Sequence, residues 1–117
     1  MLRYPARIKT TEGAYIVNLI NFENINTWGD TRDQALKNAE DALNGCLESD
    51  FEQGFQIPDP SDIKGRNIHF IPLKPNIAIS LILRNLRGRR TQQEIASKLK
   101  ISFQVYQRLE NPRKANP

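Results

Sequence analysis

Apolar and polar residues change period several times along the chain, and each change marks an element. Residues 3–10 alternate, with the β-favouring Tyr4 and Ile8 on one side. A turn at Thr11-Glu12-Gly13 leads into Ala14-Tyr15-Ile16-Val17-Asn18-Leu19-Ile20, the clearest strand in the sequence. Together the two segments predict a β-hairpin. Pro5 lacks an amide donor, which argues for an edge position for the first strand. Residues 22–28, NFENINTW, read as a short connection or a weak third strand. The period then becomes helical. Gly29-Asp30-Thr31 stops the preceding segment, Thr31 and Gln34 have the spacing of a capping box, and Leu36, Ala39, Leu43, Cys46, Leu47 and Phe51 form a stripe able to cover one sheet face. Gly45 is a weak point in that helix and Gly54 ends it. Pro58, Pro60 and Ser61 mark an irregular loop, and Ile68-His69-Phe70-Ile71, closed by Pro72, reads as a last strand. The expected order is β-β-β-α-β.

Two prolines in Pro72-Leu73-Lys74-Pro75 stiffen a linker, and we place a boundary there between residues 1–72 and residues 73–117. Beyond it, AISLILRNLRGRR predicts a helix through Ile77, Leu81 and Ile82 that stops at Gly88, with Arg87, Arg89 and Arg90 as a basic approach to Thr91. Thr91 and Glu94 again have capping-box spacing. Ile95, Ala96 and Leu99 predict one helix face, Ile101 a plug in the turn, and Tyr106 with Leu109 the inner face of a second helix, Val105 beside them. The fold class is therefore α+β, a sheet with one long helix followed by an all-α end. Periodicity alone fits an ordinary helical hairpin and a DNA-reading helix-turn-helix about equally.

Charge sharpens this picture. The chain has 117 residues and a net charge of +4. Residues 1–75 carry 8 Lys/Arg against 11 Asp/Glu, net −3, and residues 76–117 carry 9 against 2, net +7. A basic end suits a polyanion, and an acidic remainder does not, so two different partners are expected. The chain contains no run of eighteen apolar residues, so no membrane span is expected, and MLRYPARIKT lacks the apolar core of a signal peptide. The single Cys46 cannot form an internal disulfide, which fits a reducing cytoplasm, and it reads as a small buried hydrophobe.

The sequence offers no catalytic constellation. His69, the one histidine, lies in an apolar strand far from Cys46, which makes a zinc site improbable, and no glycine-rich phosphate loop is present. A magnesium-dependent nuclease would need carboxylates inside the strands, and Glu12 and Glu23 fall in a turn and a connection. Asp33, Glu40, Asp41, Glu48, Asp50 and Glu52 read first as a solvated helix face, and in a sharper reading as a docking surface for a basic protein.

Two resemblances favour particular readings. Thr91 to Pro117, with Gln92-Gln93-Glu94-Ile95-Ala96 opening one helix and Leu109-Glu110-Asn111 closing the next, is similar to the helix-turn-helix of phage repressors of the Cro/C1 type. It implies that Gln92 supports a phosphate approach, that Ser102, Phe103, Gln104 and Arg108 face the major groove with Gln107 on the same outer face, and that Asn111 contacts a phosphate. Lys100 stands where the family usually has glycine, at about 1 kcal/mol if left-handed there, and Phe103 replaces the usual polar reader. The family's domain has two more helices beyond this point, so the helix-turn-helix looks incomplete. Residues 3 to about 62 resemble the N-terminal domain of HicB antitoxins through Arg3-Tyr4-Pro5, the Tyr15–Leu19 strand, Gly29-Asp30-Thr31, Ala35-x-x-Asn38-Ala39-x-x-Ala42-Leu43, Phe51-Glu52-x-Gly54 and Ile57-Pro58-x-Pro60-Ser61. Glu23-Asn24-Ile25-Asn26 departs from that family's Pro-Gly-Cys. The resemblance implies a partial RNase H-like fold without nuclease activity, binding to a small basic HicA-type mRNA-cleaving toxin, and in many members repression of the operon through a C-terminal DNA-binding domain.

The expectation is thus a cytoplasmic antitoxin and autorepressor, not an enzyme, with no cofactor and no metal. Its partners would be a HicA-type toxin, double-stranded operator DNA and at least one further copy of itself. The alternative is a stand-alone transcription regulator or RNA-binding protein.

Overall fold

The computed structural model describes residues 2–112. Four strands, β1 (Arg3–Thr11), β2 (Ala14–Leu19), β3 (Asn26–Gly29) and β4 (Ile68–Pro72), form an antiparallel sheet in the order β3-β2-β1-β4. One long helix, α1 (Arg32–Gln53), lies between β3 and β4 in sequence, and three shorter helices, α2 (Pro75–Arg87), α3 (Gln92–Leu99) and α4 (Phe103–Glu110), complete the chain. Glu12 and Gly13 have φ of 47° and 78°, the left-handed pair a two-residue hairpin turn requires between Thr11 and Ala14.

This order corrects the edge position expected from Pro5, because β1 is flanked by strands on both sides. The proline is tolerated for a local reason. Its carbonyl accepts from the Ile20 amide at 3.0 Å, so its missing amide would point to the same side, where β2 has already ended at Leu19. Across β4 it faces Phe70 in a pair that needs no donor from it.

Alternation sends Tyr4, Ala6, Ile8, Val17, Leu19 and Ile71 to one face, where they meet Ala35, Ala39, Leu43 and Leu47 of α1 in the main apolar cluster. The expected stripe is therefore rotated slightly: Ala35 is at its centre, and Leu36, Cys46 and Phe51 are only half-buried. Small residues let the start of α1 come down onto β3. A Cβ on Gly29 would fall 2.5 Å from the Ala35 amide nitrogen, so no other residue fits there. Thr31 caps the helix by accepting from the Gln34 amide at 3.1 Å, but the Gln34 side chain turns forward to Asn38 and does not complete the box. Gly54, left-handed at φ 73°, ends α1 as expected.

The segment 72–75 is pinned to the core. Buried Asn44 donates to the Glu40 and Pro72 carbonyls at 2.8 and 3.2 Å and accepts from the Lys74 amide at 2.7 Å. Leu73 is buried, and Ile77, Ala78 and Leu81 of α2 join the cluster beneath the sheet. Arg84 reaches the Phe55 carbonyl at 3.1 Å and lies over the Phe51 ring. The loop before β4 is anchored by Tyr4, which donates to the Pro58 carbonyl at 2.7 Å, and by paired hydrogen bonds between Asn21 and Ser61. The molecule is elongated, 55 Å in its longest dimension, with the helical end at α1's C-terminus. Among the described residues no helix is long and apolar enough to cross a membrane.

Candidate nucleic-acid interface

Two caps and one left-handed residue set the geometry of α3 and α4. The Thr91 hydroxyl accepts from the Glu94 amide and the Ser102 hydroxyl from the Val105 amide, each at 3.1 Å. Lys100 adopts φ 59° and ψ 39°, the left-handed conformation that its glycine-like position anticipates. Its amide and that of Ile101 return to Ser97 and Ala96, closing α3 before α4 begins.

Polar contacts hold the helices together. Arg87, at the end of α2, makes a bidentate pair with Glu110, at the end of α4: Nε to Oε2 at 2.7 Å and Nη2 to Oε1 at 3.0 Å. Gln92 of α3 donates to the same carboxylate at 3.2 Å, so one acid ties three helices. Arg87 also donates to the Arg90 carbonyl, shaping the turn into α3. Burial pushes the Glu110 carboxyl up, but the hydrogen bonds from Arg87, Tyr106 and Gln92 outweigh it and hold its pKa below the ordinary value. The same pairing with Glu110 raises Arg87, and burial raises the Tyr106 hydroxyl. On the far side of α2, Ser80 donates to the Asn76 and Leu109 carbonyls, and Asn76 to that of Pro112.

The expected inner faces are reproduced only in part. Ala96 and Tyr106 are buried and Ile95 and Ile101 half-buried, but Leu99, Val105, Leu109 and Ile82 are exposed. The position facing inwards after Tyr106 is Glu110, since a four-residue step keeps the helix phase and a three-residue step leads towards solvent. Arg87 belongs to this lock and not to a free basic approach; Arg89 and Arg90 are exposed.

Ser102, Gln104, Gln107 and Arg108 are exposed, Gln104 and Arg108 one turn apart on α4. Ser102 spends its hydroxyl on the cap. Phe103 is half-buried and lines a shallow depression with Arg87, Thr91, Gln92 and Gln93, so only part of its ring is presented. Gln92 points its amide at Glu110, and half-buried Asn111 closes α4 with its backbone amide on the Arg108 carbonyl. Gln92, Gln107 and Asn111 share a cleft of about 410 Å³ with Glu110, Arg87 and the end of α1. Sequence reasoning missed Glu110 and Asn44; the only hint was a polar residue at a helix position whose phase points inwards.

Elsewhere the thiol of half-buried Cys46 lies 3.7 Å from Asp50, and burial raises its pKa, a weakly reactive setting. Among the described residues no group of His, Cys, Asp and Glu could hold a metal ion.

An antiparallel sheet backed by one helix and followed by short helices has a counterpart among solved structures. The solved antitoxin HicB of Burkholderia pseudomallei has a similar fold, with a TM-score of 0.55 over 92% of this chain and 91% of that one, at 16% identity. A family model described as the HicB-like antitoxin of bacterial toxin–antitoxin systems matches residues 3–73. Antitoxin HicB of Escherichia coli K12 is 33% identical over 113 residues, covering 94% of this chain and 81% of the relative. Antitoxin HicB 2 of Photorhabdus laumondii is 34% identical over 110 residues, covering 92% and 77%. The chain belongs to the HicB-like antitoxin family.

Proposed function

We propose that the chain neutralises a HicA-type ribonuclease toxin through residues 1–72 and represses its own operon through residues 73–117, which would read operator DNA as a helix-turn-helix. The family membership carries the toxin half: the match covers the sheet and α1, the most deeply packed part of the molecule. The strand order β3-β2-β1-β4 with a helix between β3 and β4 supports the partial RNase H-like reading of that part. Neutralisation would be steric and electrostatic, by covering the toxin's active site, with no chemistry performed by this chain and no cofactor.

For the DNA half, the support is local. α3 and α4 are joined by a three-residue turn, α4 presents Gln104 and Arg108 to solvent, and Arg89 and Arg90 in the turn before α3 are exposed too. Amide and guanidinium groups at that spacing match base edges in a major groove. A two-fold dimer would place two such helices on half-sites about one helical turn apart, so we expect a homodimer or larger assembly on DNA. In a binding assay on the chain's own promoter, Arg108→Ala should weaken operator binding by about 1–3 kcal/mol and relax preference at one base position. Equal weakening on every sequence would make Arg108 a phosphate contact, and no weakening would remove α4 as the reading helix.

A further inference from the structure

The acidic balance of residues 1–75 conceals a cationic surface. None of the four strands contains a carboxylate, and their three basic residues, Arg3, Arg7 and Lys9, all occupy odd positions of β1. Those positions face away from α1, since the even ones, Tyr4, Ala6 and Ile8, lie in the core. Register fixes their neighbours. Lys9 pairs with Ile16, and Ile16 with Trp28, so these three form one row across the uncovered face. Arg7 is in the next row with Asn18 and Asn26 on one side and Ile68 on the other. Beyond it, Pro5 pairs with Phe70, whose ring lies 5.0 Å beneath the Arg3 guanidinium.

Trp28 is 61% exposed, a large aromatic surface left in water on a short edge strand whose backbone is otherwise fixed by Asn38. Arg3, Arg7 and Lys9 are exposed too, and among the described residues no ion pair engages them. Arg7 and Lys9 are about 7 Å apart along the strand, comparable to successive phosphates of an extended nucleotide chain. Cations that follow a backbone, with flat rings on which bases can stack, are how sheets bind single-stranded nucleic acid. A second copy docked face to face would oppose Arg7 and Lys9 to their own kind, which argues against self-association here.

We propose that the sheet face opposite α1 binds single-stranded RNA, with Arg3, Arg7 and Lys9 along the phosphates and Trp28 and Phe70 as stacking platforms. This surface is separate from α4, and the proposal does not rest on the operator reading.

Trp28 is the only tryptophan in the chain, so its fluorescence reports on this face alone. Titrating the full chain with a single-stranded oligouridylate of about twelve nucleotides should quench Trp28 in a saturable, salt-sensitive way. Replacing Arg7 and Lys9 together with Ala should weaken the binding roughly tenfold or more, with melting temperature and operator binding unchanged. Trp28→Phe, followed by anisotropy of labelled RNA, should retain most of the affinity, whereas Trp28→Ala should lose roughly tenfold. Absence of quenching at micromolar RNA and moderate salt would overturn the proposal. So would undiminished quenching in the Arg7/Lys9 variant. Polyglutamate competing as well as RNA would reassign the face to an acidic protein, and a Trp28 signal dependent only on protein concentration would reassign it to a second copy; either result overturns the proposal.

Discussion

The two ends of the molecule are held together by different forces. Under the sheet, Leu43, Leu47, Val17 and Ile71 are fully buried, and among the described residues before α2 only Trp28 and Phe55 of the large apolar side chains are exposed. In the helical end Ile79, Ile82, Leu86, Leu99, Val105 and Leu109 all remain exposed, and the shared carboxylate of Glu110 does much of the joining. Burial of apolar area is non-directional and involves no titrating group. A bidentate ion pair is directional, responds to pH, and can be broken by removing one atom. Substitutions should therefore act differently on the two ends.

The largest effect is expected in the apolar part. Leu43→Ala should destabilise the fold by about 2–5 kcal/mol, because the rigid α1–sheet contact cannot close the cavity; denaturant unfolding measures it, and a loss under 1 kcal/mol would mean the core is loosely packed. Next comes the lock. Glu110→Gln keeps the shape but removes the charge that Arg87 partners, and should destabilise the helical end by about 1–3 kcal/mol while leaving Leu43's surroundings protected from hydrogen exchange. Uniform loss of protection would show that the two ends unfold as one unit.

The pH response follows from the same carboxylate. Its pKa in the fold is below the ordinary value, so the stability it contributes is present above the unfolded-state pKa and is lost as pH falls through the folded one. Stability against unfolding, followed at α3 and α4, should fall with acid from the ordinary carboxylate range downwards, less steeply in Glu110→Gln. An identical acid profile in the variant would assign the titration to another group.

The smallest effects have the same sign from opposite substitutions. Gly45 is exposed inside α1 with nothing within 4 Å of an added Cβ, so Gly45→Ala should stabilise by about 0.5–1 kcal/mol. Lys100 is left-handed, so Lys100→Gly should stabilise by up to about 1 kcal/mol. Calorimetry on the two variants checks both: a lowered melting temperature would mean that the added methyl is not accommodated at position 45, or that the Lys100 side chain makes a stabilising contact.

Elements with a repeated apolar period were legible in the sequence. The hairpin, α1 with its cap and terminator, the strand order along the chain and the two short helices all follow from spacing and turn residues. Contacts made by single polar residues were not. Asn44 looks like an interruption between Leu43 and Gly45, yet its amide joins α1 to residues 72–74. Arg87 and Glu110 are 23 positions apart, and no local pattern links them. Pro5 misled because its meaning depends on where the neighbouring strand stops. The candidate DNA-reading residues were legible mainly as exposed positions on α4, since what they touch depends on a partner. The sheet's cationic face was hidden by a net charge dominated by the carboxylates of α1.

The central claim is that one chain carries two separable binding functions, and a single preparation can test it. The chain with Gln104 and Arg108 both replaced by Ala should be mixed with a HicA-type toxin and operator DNA and resolved by size-exclusion chromatography with light scattering. Toxin should still co-elute with the variant while DNA no longer does, whereas the unaltered chain should carry both. Loss of toxin together with DNA, or retention of both, would contradict it.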